Sequence, residues 1–459
     1  MKRTPFPCHI LQDIFNLYSQ NMTSLEFKVK RFLPLNILGY YMRFYKIFNF
    51  IFLLIFSVSI LKAQGQSAIP MLYLNPSPRL NGLGMIGTSL PNDDPFGFYY
   101  NPAQLGHFSQ TNNLSYQFYP SNVNWLNLNR LTYRNSAVDI GYNFKNELHG
   151  LSLSAGFGYI HSKLDYGTFT VIGTSLQTPY AYTTYDEFDA YSLGIGIDYY
   201  IQFNIGITYK SINSQLAFLP IMNTSQLKTI NAKPTAIDYG FLLTVPVVKL
   251  IDHNYKFYIL QNIPAVPYFN FSIGYSRLNQ GGEVTYVDQN QSDPLPRTAR
   301  LGYTLSTGLD IKLHNNLFRL FGYDFTVDAD NSLVNPYYGV WTLTYKSGIG
   351  DINIGRNLFE LKSDKNVVVH KGHEFNLFET FSVLIGRFDG NYYYNDESNG
   401  IGIKLKGVLT LLKGYMNSES FNFIADHFDV QYYSTKLDFG SGIESKFEGI
   451  NLVFYNFEF

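Results

Sequence analysis

The stretch YSLGIGIDYYIQFNIGITYK, residues 191–210, leaves little freedom of fold. Tyr191, Leu193, Ile195, Ile197 and Tyr199 alternate with Ser192, Gly194, Gly196 and Asp198. Beyond a tight turn, Phe203, Ile205, Ile207 and Tyr209 alternate with Gln202, Asn204, Gly206 and Thr208. Successive side chains of a strand point to opposite faces, so this period of two predicts a hairpin; a helix would scatter the apolar residues around its axis. Both strands are long enough to cross a bilayer. One face is apolar and aromatic, and the other carries Gly, Ser, Thr and Asn. A secreted sandwich or propeller would put large apolar side chains on its inner face, so the alternation favours a transmembrane barrel.

The pattern recurs in LSLSAGFGYIHSKL, YFNFSIGYSRL, TARLGYTLSTGLDIKL, VWTLTYKSGIG, FSVLIGRF, GIGIKLKGVLTLL and FDVQYYSTKLDF. With weaker candidates the chain holds about 12 to 16 strands, and bacterial barrels favour even numbers. The expected fold is an all-β antiparallel barrel of about 14 strands over residues 111–459. Composition agrees: charged residues are 15% and aromatics 17%, yet the mean hydropathy is only −0.08, as two-faced strands require. Glycines on the polar faces predict close backbone approach inside a curved wall. A net charge of −1 offers no field for nucleic acid, and the single Cys8 excludes an internal disulfide or thiolate metal site. The polar stretches SLQTPYAYTTYDEFD, GGEVTYVDQNQSDPLP, DNSLVNPYYG and SDKNVVVHKGHE are expected as extracellular loops or loop flanks able to meet a partner.

From Met42, MRFYKIFNFIFLLIFSVSILKAQGQ has the layout of a secretory signal: Arg43 and Lys46, an apolar run from Ile47 to Leu61, and a cut between Ala63 and Gln64. The run is short for an uncleaved anchor helix. Residues 42–63 are therefore expected as the signal peptide, with 1–41 an upstream extension outside the native protein. The chain ends in GINLVFYNFEF, where Val453, Tyr455, Phe457 and Phe459 share a strand face. An aromatic end preceded by alternating hydrophobics looks like the strand that outer-membrane insertion machinery recognises. On that basis Leu452 and Phe454 are expected to face the lumen.

Residues 81–106, NGLGMIGTSLPNDDPFGFYYNPAQLG, contain Gly82-x-Gly84-x-x-Gly87. A dinucleotide loop with this spacing needs a strand before it and a helix after it. Pro70, Pro76 and Pro78 on one side and Pro91 and Pro95 on the other are hard to reconcile with either. The glycines are expected to permit an irregular turn, and Asp93-Asp94 to lie in a solvated one. The stretch resembles the opening motif of the long-chain fatty-acid transporter (FadL-like) barrel superfamily, especially its PorV/PorQ branch. The similarity rests on Gly82, Gly84, Gly87, Asp93, Asp94, Tyr100, Asn101, Pro102 and Ala103, with YPSNVNWL and LPRTARLGYTLSTGLDIKL as further likenesses.

The resemblance implies a bacterial outer-membrane barrel with residues 64–110 plugging or capping its periplasmic side. Members act in type IX secretion, with secretion-apparatus or exported proteins as partners, or pass hydrophobic small molecules. The motif residues are then a structural plug or gate. Enzymatic chemistry is not expected. His370-x-x-His373 would point to opposite faces of an extended stretch and reads as an accidental loop pair. No nucleophile elbow or phosphate loop occurs, and no cofactor is implied.

Overall fold

The computed structural model describes residues 67–457 apart from 129–130, 146–150, 172–179, 221–226, 253–254, 260–262, 288–291, 314–315, 336–343, 391–392, 414, 417 and 440–442. The signal segment, Ala63, Gln64 and Phe459 lie outside these residues.

Fourteen strands close a ring. They are β1 Asn112–Phe118, β2 Thr132–Lys145, β3 Ser152–Val171, β4 Tyr180–Tyr199, β5 Ile201–Pro220, β6 Thr235–Pro246 and β7 Ile263–Gly281. The ring continues with β8 Thr298–Leu313, β9 Asn316–Ser332, β10 Val367–Leu377, β11 Phe381–Gly390, β12 Tyr393–Lys404, β13 Phe428–Asp438 and β14 Glu444–Tyr455. Each pairs antiparallel with its sequence neighbours, and β1 closes the ring on β14 through Ser115 opposite Val453 and Tyr116 opposite Leu452. Three short strands, Val123–Asn124, Leu227–Ala232 and Phe257–Ile259, are appended to it. Closure leaves no unpaired edge in the wall, which a sheet in hydrocarbon requires.

The alternation read from the sequence becomes inside and outside. Leu193, Ile195 and Ile207 are 51–59% exposed on the outer face, while Ser192, Asn204 and Thr208 are buried. Tyr159, Tyr191 and Tyr209 stand side by side on adjacent strands, and the next outward positions are His161, Asp189 and Ser211. This aromatic row marks the edge of the apolar band, as tyrosines do at a membrane interface. Beyond it β3 continues for roughly ten residues, ~33 Å of strand. A closed barrel with an apolar outer band and a polar interior is a multi-pass outer-membrane protein. Among the described residues no helix is long and apolar enough to cross a membrane.

Several expectations change. SLQTPYAYTTYDEFD enters β4 at Tyr180, and SDKNVVVHKGHE enters β10 at Val367, so both stretches are partly wall. The Thr344–Gly350 part of VWTLTYKSGIG is no barrel strand and makes one isolated bridge, Val334 to Tyr345. GIGIKLKGVLTLL ends as a strand at Lys404, and the helix Leu405–Leu412 follows because its leucines and valine change to helical spacing. The faces of β14 are also reversed. Val453 and Tyr455 are 2% and 6% exposed and face inward, whereas Leu452 and Phe454 face outward. The buried Asn451, two residues before Val453, fixes this register by receiving the Ser115 hydroxyl at 2.7 Å.

Candidate functional site

Residues 68–111 precede the first barrel strand. Ser77 caps the helix α1, Pro78–Gly82, by accepting from the Leu80 amide at 3.1 Å, and Pro78 sits where no amide donor is missed. A second helix, α2 Gln104–Thr111, follows Asn101-Pro102-Ala103. From Asn75 to Gly106 only Pro91 and Asp93 escape full burial. Helix α1 lies against β11–β14, α2 against β2–β5, and the loop 84–89 against β7–β12. The segment thus touches inward-facing residues around the ring.

The Gly-x-Gly-x-x-Gly loop does hold an anion, supplied by the barrel itself. The amides of Gly87 and Thr88 donate to the Asp328 carboxylate at 2.9 and 2.8 Å, and the Ser89 hydroxyl donates to it at 3.1 Å. The Gly84 amide donates to Ser398 Oγ at 2.8 Å, and the Gly84 carbonyl accepts from His370 Nδ1 at 2.7 Å. The amides of Gly84, Gly87 and Thr88, which such a site would turn to a phosphate, are taken by Ser398 and Asp328. A short helix enters the loop and no helix leaves it, which removes the dinucleotide geometry. Of the three glycines only Gly84 has a positive φ, +82°, while the other two are needed for space.

Three buried cations tie the segment to the wall or brace the wall beside it. Arg300 donates to the Met85 carbonyl at 2.8 Å and to Thr88 Oγ1 at 3.1 Å, lies 3.6 Å from both Asp328 and Asp330, and stacks 3.8 Å over the Tyr100 ring. Arg79 pairs with Glu374 at 2.8 Å and with Asp93 at 3.5 Å. Lys210 pairs with Asp238 at 2.7 Å and sits 4.4 Å from the Tyr99 ring centre. Removing one partner of such a pair leaves an uncompensated charge and costs about 3–5 kcal/mol. The sequence assigns no role to Arg79, Lys210, Asp238, Arg300 or Asp328, and Glu374 stands there only as the residue after His370-x-x-His373. Their signal was phase: Lys210 and Asp238 alternate in step with Gly206 and Gly240, and so must face the lumen.

Asn101 is a cross-brace. Its side-chain amide donates to the carbonyls of Thr88, 2.7 Å, and Phe241, 2.9 Å, while its Oδ1 accepts from the Ala103 amide. Inward glycines make the seat. A Cβ on Gly206 would overlap the Pro102 carbonyl, one on Gly194 would lie 2.6 Å from the Gly106 nitrogen, and one on Gly372 would lie 2.7 Å from the Leu83 oxygen. The close approach predicted from these glycines is therefore approach to residues 83–106. Asp94 is not in a solvated turn: it is 6% exposed and accepts from Ser77 Oγ and the Phe96 amide at 2.5 and 2.9 Å, while Asp93 stays partly exposed beside Arg79. The hydrogen bond from Ser77, the cap of α1, holds Asp94 inward.

Burial pushes the Asp94 carboxyl up to about 6, although its hydrogen bonds and Arg79 pull the other way. Burial also acts on Asp93, but Lys404, Arg79 and Gln431 outweigh it and hold that carboxyl well below the usual range. A carboxyl raised in the folded protein binds its proton more tightly there than in the unfolded chain. Its stabilisation is complete below about 3.8 and is lost as pH rises through about 6. Transient openings in planar-bilayer recordings are expected to become more frequent as pH rises from about 4 to about 7, and Asp94→Asn to flatten that trend. An unchanged slope in Asp94→Asn would remove Asp94 as its source.

His370 and His373 fall on strand β10, not in a loop. They diverge as their spacing requires: His370 faces Gly84, and His373 Nδ1 meets the Tyr323 hydroxyl on the outer face at 2.8 Å. No cluster of three or more His, Cys, Asp or Glu able to hold a metal occurs among the described residues. Of the C-terminal residues, Phe457 packs 4.7 Å from His427 and 6.2 Å from Phe423, away from the inward Val453 and Tyr455. Left-handed Asn456, φ 60°, breaks the strand alternation between them.

No protein-family model and no curated protein sequence matches the chain. Among solved structures it is similar to the toluene transporter TodX of Pseudomonas putida, with 11% identity over 83% of this chain and 98% of that one and a TM-score of 0.35. The toluene transporter TbuX of Ralstonia pickettii gives 9%, 83%, 98% and 0.34. The translocator domain of the autotransporter NalP from Neisseria meningitidis gives 12%, 76%, 89% and 0.31. Likeness this distant carries no argument about function, and the fold rests on the strand pairing described above.

Proposed function

We propose that this outer-membrane barrel is of PorV/PorQ type, closed by residues 68–111, and serves protein secretion or surface assembly as an adaptor for a protein partner. The single observation that carries this is the use of the lumen-facing polar groups. Asp328, Glu374, Arg300, Ser398 and His370 are spent on the segment, where a conducting path would leave such groups to water or cargo. The motif residues Gly82 to Ala103 act as plug, Ala63–Gln64 as the signal cleavage site, and Val453, Tyr455, Phe457 and Phe459 within the insertion signal. The end holding Asn112 and Tyr455 is then periplasmic, and the long strands β3–β5 project outside the cell.

Passive passage of hydrophobic molecules is the second reading. Inward-facing Leu452 and Phe454 no longer support it, since both face outward. An apolar cluster that joins Phe96, Phe98 and Tyr99 to Ile160, Leu164 and Phe188 does favour it, as a path once the segment yields. Native purification with mass spectrometry separates the two. Co-purifying secretion or exported proteins with an ion-tight barrel are expected. Bound hydrocarbon or fatty acid with no protein would sink the adaptor reading.

A further inference from the structure

The connection between β12 and β13 is two helices, α3 Leu405–Leu412 and α4 Glu419–His427, at the end of the barrel that holds Asn112 and Tyr455. Helix α3 has its polarity reversed. Leu405, Val408, Leu411 and Leu412 are 39–43% exposed on one side. The side turned to the protein carries the buried Gly407 and Thr410, and Lys406 and the C-cap Lys413 flank it, each paired to a carboxylate of the protein. Lys406 reaches Glu379 at 2.9 Å, and Lys413 reaches Asp426 at 2.6 Å. A helix on a water-exposed surface puts its charged face outward. Here both lysines are paired to the protein's own carboxylates and the exposed face is apolar.

The apolar face is continuous with the lipid-facing wall. Phe423 of α4 lies 5.9 Å from Phe428, and Phe428 lies 5.0 Å from Phe454, both on the outer face of β13 and β14. Phe378 and Phe381, at the β10–β11 turn against which Gly407 packs, are 48% and 53% exposed. Tyr415 and Met416, just beyond α3, are also exposed.

We infer that the helical pair 405–427 lies in the bilayer interface at the terminal end of the barrel, with Leu405, Val408, Leu411 and Leu412 among the acyl chains of the adjoining leaflet. Amphipathic helices seat in this plane about 5–10 Å into the headgroup boundary. Because each lysine is paired, attraction to anionic headgroups contributes little. Seating is therefore the same in zwitterionic and anionic vesicles. The pair fixes the height and tilt of the barrel at this rim, beside the point where the chain ends in β14.

The test uses the full chain with Cys8→Ser, reconstituted alone in phosphatidylcholine vesicles. A nitroxide is placed by Leu411→Cys, with Ile195→Cys as a reference in the lipid-facing band and Lys163→Cys as one beyond it. Relaxation by oxygen and by a water-soluble nickel chelate is compared. The expected result is an oxygen-dominated response at residue 411 matching that at 195, unchanged when phosphatidylglycerol is added. A nickel-dominated response at 411, with 195 still protected, would overturn the inference and leave this face to a protein partner or a second copy. Nickel access at both 411 and 195 would instead refute the membrane placement of the barrel. Unchanged heat-dependent migration in each variant confirms that the ring has closed.

Discussion

Alanine at Gly274 is expected to unseat residues 68–111 and turn a closed barrel into a leaky one. A Cβ at this position would overlap the Thr88 carbonyl oxygen and lie 2.6 Å from its carbon and 2.8 Å from the Ser89 Cα. All three are backbone atoms, so no rotamer change relieves the clash. The loop must move, yet the Thr88 amide is held by Asp328 and its carbonyl by Asn101. Overpacking costs about 1–3 kcal/mol, and each buried hydrogen bond left unmade adds about 1–3 kcal/mol. Together these make a loss of roughly 3–6 kcal/mol in docking, at least a hundredfold in the seated population. Gly282→Ala is the control, because nothing lies within 4 Å of its Cβ. Planar-bilayer conductance and protease cleavage within 68–111 should both rise in Gly274→Ala and stay at parent level in Gly282→Ala. Parent-like behaviour in Gly274→Ala would mean that the segment does not set closure.

Removing residues 68–111 altogether is expected to have the larger effect, a steady ohmic current where the parent passes none. Fourteen strands spaced ~4.8 Å apart and tilted ~40° enclose a backbone ring of roughly 14 Å radius. Many of its inward positions are Gly, Ser, Thr and Asn, which leave much of that space open. The same deletion exposes Asp328, Glu374 and Arg300 to water, which relieves their burial and lets the ring persist without its contents. Heat-dependent migration checks that the ring has closed. A folded deletion variant that conducts no better than the parent would show that another part of the chain seals the lumen, and the adaptor proposal would lose its carrying observation.

Strand positions were legible where period two was uninterrupted. TARLGYTLSTGLDIKL is β8 residue for residue, and residues 191–210 form the β4–β5 hairpin around Tyr200. It failed where local pattern was ambiguous. KLKGVLTLL continues an apolar run but changes its spacing, and in β14 both faces carry large apolar side chains, so alternation could not say which one meets lipid. The pairing of β14 with β1, where Ser115 donates to Asn451 from 336 residues away, decided it.

The sequence by itself determined that the chain would be an antiparallel membrane barrel, because side-chain direction in a strand is a local property that repeats every second residue. It also removed the dinucleotide from the glycine loop, since proline acts on its own neighbours. Only the tertiary structure decided what the loop binds. Asp328 meets Thr88 from 240 positions away, and Glu374 meets Arg79 from 295. The inward glycines carry no mark of what will press against them until the ring closes. Its fourteen strands bring those distant carboxylates, cations and bare backbones to one place, and the segment at the start of the barrel satisfies them there.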